Sequence, residues 1–74
     1  MRPDQIVEQR MSECLLTTRQ KQVCRMVFAG KQSKEIAETL GISASSVNNQ
    51  LREIFARAGV RGRPSLIARW LRLG

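Results

Sequence analysis

Residues 33–58 constrain the fold more than any other stretch. They read SKEIAETLGISASSVNNQLREIFARA. Ile36, Ala37 and Leu40 recur at helical spacing and give a short helix one apolar face. Gly41 can take positive φ and end that helix. Ser43 then suits an N-cap, and Ile42 with Val47 fits a hydrophobic staple. A second, longer helix follows, with Val47, Leu51, Ile54, Phe55 and Ala58 on one stripe. Its opposite face shows Ser45, Asn49, Arg52 and Ala56, with Asn48 on the flank and Glu53 the one acid. A helix, a glycine turn and a helix with a short-chained polar face form the helix-turn-helix pattern, whose second helix enters the DNA major groove. Many helical bundles contain the same turn, so the pattern alone leaves both readings open.

Charge separates them. The 74 residues carry 13 Lys and Arg against 6 acids, a net of +7. Residues 1–13 hold two bases and three acids, whereas residues 14–74 hold 11 bases and three acids. The excess therefore coincides with the helix-turn-helix, where a polyanionic partner would need it.

Other classes find little support. A chain this short builds one small core and no cleft between lobes. It has no His and no Tyr, no Gly-rich phosphate loop and no CxxC, so no catalytic constellation, metal site or cofactor is expected. Phe28, Phe55 and Trp70 are too few for a base-stacking platform. Cys24 lies in an apolar helical pattern and reads as a small buried hydrophobe rather than as a disulfide partner of Cys14. No run of 18 apolar residues suggests a transmembrane helix, and residues 1–15 mix charges unlike a signal peptide. A cytoplasmic location is expected.

In residues 1–15, Asp4 offers a cap, and Ile6, Val7, Arg10 and Met11 give a weak amphipathic stripe. Their acidic balance and modest apolarity favour a linker-derived helix over a core element. Thr17 and Gln20 fit a capping box, and Val23, Cys24, Val27 and Phe28 give the next helix an apolar face. Arg19, Lys21 and Arg25 of that helix are expected to face solvent. Ser33 reads as the N-cap of the following helix, where Ser33 and Lys34 are candidates for a DNA phosphate. Glu35 and Glu38 look like a solvated face. Gly59 ends the recognition helix, Val60 tucks into the core, and Pro64 sits in the first turn of a last helix. That helix carries Leu66, Ile67, Trp70, Leu71 and Leu73, more than one face can bury. Part of the stripe is left for a partner, with Arg69 and Arg72 rimming the other side.

Residues 16–73 resemble the LuxR-type (GerE-like) helix-turn-helix domain of bacterial transcription factors. The pieces that carry the resemblance are LTTRQKQV, AGKQSKEIAETLGISASSVNNQLREIFARAGV and RGRPSLIARW. The family runs LT-x-R-E-x-E-V-L, G-x-S-N-K-E-I-A, I-S-x-x-T-V-x-x-H and K-L-G-V-x-S-R. Gln20 and Gln22 stand for its acids, Ser46 for its Thr, Gln50 for its His and Gly62 for its Ser. Sigma-factor region 4 shares the LTxRQxxV opening and the EIAxxLGIS turn, but normally lacks the GVRGR joint and the apolar helix after it. It is kept as the alternative, with a helical protein-interaction module behind it.

The resemblance implies an all-α domain over residues 16–74, a four-helix bundle with a helix-turn-helix, preceded by a linker or extra helix over residues 1–15. It implies a double-stranded DNA partner, with residues 44–57 in the major groove. The family's base-contacting positions fall on Asn48, Asn49 and Arg52. Asn suits adenine and Arg suits guanine. Ser33, Lys34, Ser45, Ser46 and Gln50 are better suited to phosphates. Dimerisation on inverted or direct half-sites is implied through the last helix, with Leu66, Trp70, Leu71 and Leu73 as its interface. RNA polymerase is a further candidate partner, and no small-molecule ligand is expected in this segment. In response regulators and quorum-sensing regulators of the family, a receiver or ligand-binding domain stands upstream.

Overall fold

The computed structural model describes residues 2–71. Among these there are five helices and no strand: α1 (Pro3–Glu13), α2 (Thr18–Phe28), α3 (Ser33–Leu40), α4 (Ala44–Ala58) and α5 (Arg63–Leu71). The all-α expectation holds, with α1 as the extra helix. No helix among the described residues is long and apolar enough to cross a membrane.

The helix boundaries follow from local chemistry. The Gln20 N–H donates to Thr17 Oγ1 at 3.1 Å and the Thr17 N–H donates to Gln20 Oε1 at 3.0 Å, closing the capping box of α2. Gly41 takes φ of 67° and ends α3, and Ser43 Oγ accepts the Ser46 N–H at 3.0 Å to start α4. The turn between them is therefore fixed by one left-handed residue and one hydroxyl. Gly59, at φ of 72°, ends α4. One boundary differs from expectation. The N-cap of α3 is Gln32, and Ser33 is already its first helical residue. Glu35 closes that end by accepting the Gln32 N–H at 3.0 Å, so it does more than face solvent.

α4 packs on α2, α3 and α5, and α1 packs on α5. Val23, Ile36, Val47, Ile54 and Leu66 are fully buried where these helices meet. Each such side chain contributes about 1.5–3 kcal/mol by leaving water. Phe28 stacks on Trp70 with ring centroids 5.7 Å apart, joining the end of α2 to α5. Cys14 and Cys24 are free thiols. Burial pushes the Cys24 thiol up to about 12, which keeps it protonated and unreactive.

α1 corrects the sequence reading. Val7 and Met11 sit in the core at 5% and 0% exposure, so α1 is a core element rather than a linker-derived helix. Asp4 does not cap it; Arg2 is the N-cap, and its N–H donates to Gln5 Oε1 at 3.2 Å. Arg25, expected merely to face solvent, fastens α1 to α2 by donating from Nε and Nη2 to the two oxygens of Glu8 at 2.6 and 2.8 Å. These hydrogen bonds hold the Glu8 carboxyl below its ordinary value of 4.5. The tie is therefore complete above that value and is lost as pH falls through the lower folded one. Both partners are exposed, so it directs α1 more than it stabilises it.

The core role of α1 gives a direct test. Met11→Ala should lower unfolding stability by about 2–5 kcal/mol, a large share of what a domain this size possesses. Urea unfolding followed by circular dichroism measures it. A loss below about 0.5 kcal/mol would mean that α1 rides free of the core.

Candidate nucleic-acid interface

The rotation of α4 about its own axis is set by Val47, Leu51 and Ile54, which are 0%, 5% and 0% exposed. Phe55 and Ala58 complete the stripe, half-buried against the core. With that stripe seated, Ser45, Asn48, Asn49, Arg52 and Ala56 are all exposed. The face expected to be outward is outward. Among the described residues, the side chains of Asn49 and Arg52 have no hydrogen-bond or ion-pair partner, which leaves both free for a ligand.

Glu53, the one acid of that face, is held by α2. Gln20 is buried at 1% exposure, and its Nε2 donates to Glu53 Oε2. This explains one departure from the family pattern. The side chain opposite position 20 here is a carboxylate, and an amide donates to it where an acid would repel it.

A second cluster joins three distant segments. Arg63 donates from Nη1 to the Lys31 carbonyl at 2.7 Å and from Nη2 to Ser33 Oγ at 3.1 Å. Ser33 Oγ in turn donates to Asn48 Oδ1 at 3.1 Å. The joint after α4, the start of α3 and the first turns of α4 thus form one surface. The exposed cations next to these residues in the chain are Lys31, Lys34 and Arg61, which have no side-chain partner among the described residues. Sequence reasoning passed over Lys31, Arg61 and Arg63. The RGR run at the joint was the available signal, but a run does not tell which arginine turns inward.

The other expected phosphate residues differ in availability. Lys34 and Ser45 are exposed, whereas Ser33, Ser46 and Gln50 are half-buried. Ser46 Oγ already accepts from Ser43 Oγ at 3.0 Å, so it completes the cap as well as facing outward.

The expected pairing surface is corrected in part. Leu66 and Trp70 are 0% and 3% exposed and belong to the core of the protomer. α5 packs on both α1 and α4, and Trp70 stacks on Phe28. Leu71 is half-buried, beside Ile67 and Ala68. Leu73 and Arg72 lie outside the described residues. Arg69 does not rim the far side: its Nη1 donates to the Ala58 and Gly59 carbonyls at 3.3 and 2.9 Å, capping the C-terminus of α4. Arg57 donates to the Leu15 carbonyl and ties α4 to the segment before α2.

Comparison with known proteins agrees with this architecture. The family model described as bacterial regulatory proteins, luxR family, matches residues 14–70. The spore germination protein GerE of Bacillus subtilis (strain 168) is 36% identical over 63 residues, spanning 85% of this chain and 85% of that protein. The monoamine regulon transcriptional regulator of Klebsiella aerogenes is 36% identical over 76 residues, spanning 89% of this chain but 34% of that protein. The transcriptional regulatory protein DesR of Bacillus subtilis (strain 168) is 39% identical over 54 residues, spanning 73% of this chain and 27% of that protein. No solved structure gives a significant match.

The Gln20–Glu53 contact makes a testable claim about how α4 is held. Gln20→Glu places a second carboxyl against Glu53 in a buried site and should cost roughly 1–3 kcal/mol at neutral pH. Burial and the neighbouring charge raise the folded pKa of the introduced carboxyl. The cost is therefore full above that pKa and fades as pH falls through it. Thermal unfolding at several pH values measures this; a stability difference independent of pH would show that the two groups do not meet.

Proposed function

The chain belongs to the luxR family of bacterial regulatory proteins, and from that premise we propose that it binds duplex DNA sequence-specifically by laying α4 in the major groove. The family is one of DNA-binding transcription regulators and not of enzymes. The observation that carries the proposal is the exposed face of α4, on which Asn49 and Arg52 have no partner among the described residues and Asn48 stands beside them.

The geometry suits the task in three respects. An α-helix fits the major groove, and its exposed Asn and Arg side chains match the donor and acceptor patterns of adenine and guanine edges. Lys31, Lys34 and Arg61 are exposed on the segments that lead into α3 and out of α4, and are the cations proposed to meet flanking phosphates. The N-terminus of α3, with Ser33 and Lys34, adds backbone N–H groups on the same side. Residues 16–74 are taken as the DNA-binding unit, with α1 docked on it. Work on duplex DNA places the protein in the cytoplasm.

Pairing on DNA is part of the reading. A single copy buries little surface on a duplex, and a second half-site supplies affinity through effective concentration. The outer edge of α5, with Ile67, Ala68 and Leu71, is the proposed contact between copies. Leu66 and Trp70 support it from within the core.

The electrostatic share of binding is measurable. Affinity for duplex DNA should fall with salt at a log–log slope on the order of −4 to −7 for two copies. A flat titration would overturn the DNA reading. Arg52→Ala should cost roughly 1–3 kcal/mol on a selected site and much less on random duplex. Equal losses on both would reassign Arg52 to a phosphate. Circular dichroism of the variant should be unchanged, since Arg52 is exposed and lies outside the buried core.

A further inference from the structure

On the DNA-binding reading of α4, we propose that Arg63 and Ser33 are positioning residues. They hold the Asn48 side chain ready for a base, and neither of their own side chains touches DNA.

The first observation is where the two arginines of the joint go. Arg61 is exposed, whereas Arg63 is half-buried and turns its fork into the protein. Its Nη1 donates to the Lys31 carbonyl at 2.7 Å and its Nη2 to Ser33 Oγ at 3.1 Å. A rigid fork held at both tips acts as a clamp between segments. The Ser33 hydroxyl carries a single proton and donates it to Asn48 Oδ1 at 3.1 Å. A phosphate oxygen takes only donors, and the donor of this side chain is engaged within the protein.

The second observation is where these contacts fall on the helix pair. The turn at Gly41 and Ser43 joins α3 to α4 at one end. Ser33 is the first residue of α3, at the end away from that turn, and Asn48 lies in the second turn of α4. Their hydrogen bond therefore ties the two helices at a second point, and Arg63 secures that point from the start of α5. Of Asn48, Asn49 and Arg52, only Asn48 has such a support among the described residues. A side chain already held gives up less freedom on binding than one that must be ordered. The hold leaves Asn48 usable: it is exposed, Oδ1 keeps a second lone pair, and Nδ2 keeps both hydrogens. The clamp thus sets how well Asn48 is presented and not which base it meets.

The test compares affinity for a duplex selected from a randomised library with affinity for random duplex, across a range of salt. The proteins are the unmutated chain, Asn48→Ala, Ser33→Ala, Ser33→Thr, Arg63→Ala and the double variant Ser33→Ala with Asn48→Ala, each checked for folding by circular dichroism. Ser33→Ala should weaken binding to the selected duplex about three- to tenfold and to random duplex less than about twofold, and Ser33→Thr should restore it. In the Asn48→Ala background, Ser33→Ala should change affinity by less than about twofold, which a merely structural role would not produce. Arg63→Ala should weaken the selected duplex as Ser33→Ala does and keep the salt slope, whereas loss of a phosphate contact in each of two copies would flatten it by about two. If Arg63→Ala fails to fold, the Ser33 and Asn48 variants decide the matter. No loss in Asn48→Ala or Ser33→Ala, equal losses on both duplexes, a Ser33→Ala loss that persists without Asn48, or a flattened slope in Arg63→Ala would overturn the positioning roles and leave the DNA reading standing. Absence of duplex binding by the unmutated chain would overturn the proposed function and the positioning roles with it.

Discussion

The seating of one apolar stripe governs the rest of the molecule. Val47, Leu51 and Ile54 bind α4 to the helices behind it, and successive residues of a helix are offset by a fixed angle. Once those three are buried, the directions of Asn48, Asn49 and Arg52 are no longer free variables. An exposed polar face contributes little to folding, because its polar groups stay in water. The holding energy must therefore come from the opposite face. The short turn at Gly41 and Ser43 adds a second restraint, since it fixes where α4 begins relative to α3. Rotation and register of the outward face are both set from behind.

The arginines do two different kinds of work, and net charge hides the difference. Arg25 is paired with Glu8, while Arg57, Arg63 and Arg69 donate to carbonyl oxygens at links and helix ends. A guanidinium suits this role because its long stem reaches across elements and its fork satisfies two acceptors. Arg69 fixes the end of α4, and Arg63 ties the joint after it to the approach to α3. The cations left without a partner among the described residues are fewer than composition suggests, and Lys31, Lys34, Arg52 and Arg61 are among them, all exposed. A salt slope well below the formal charge is the natural outcome of that division.

The sequence made legible whatever local chemistry decides. Helical spacing, Gly41 and Gly59 at positive φ, the Thr17 box and the Ser43 cap all act within a few residues, and α2, α3 and α4 appear where they were expected. The outward face of α4 was readable for the same reason. What was not readable depends on partners distant in the chain. Val7 and Met11 look like a weak stripe alone and become core only when α5 supplies the other wall. Ser33 offered itself as a cap by type, but Gln32 took the place and left Ser33 to meet Arg63 and Asn48, 30 and 15 residues away. Gln20 was readable as half of a capping box, whereas its contact with Glu53 was not.

The burial of Leu66 and Trp70 bears on how two copies would meet. Without α1, α5 carries more apolar surface than the bundle can cover, and a second copy looks like the natural cover. With α1 docked and Phe28 stacked on Trp70, most of that surface is satisfied inside one protomer. Only the half-buried edge of Ile67, Ala68 and Leu71 remains among the described residues. An edge this small falls well short of the roughly 800 Å² per partner that a stable interface buries. On the reading proposed above, association of free protomers is therefore weak. On that same proposal, the duplex would bring two copies together and raise their effective concentration until a small contact suffices. Pairing would then report on the spacing of half-sites as much as on the protein surface. A weak edge would reject single half-sites, since neither the contact nor one half-site would hold the complex alone.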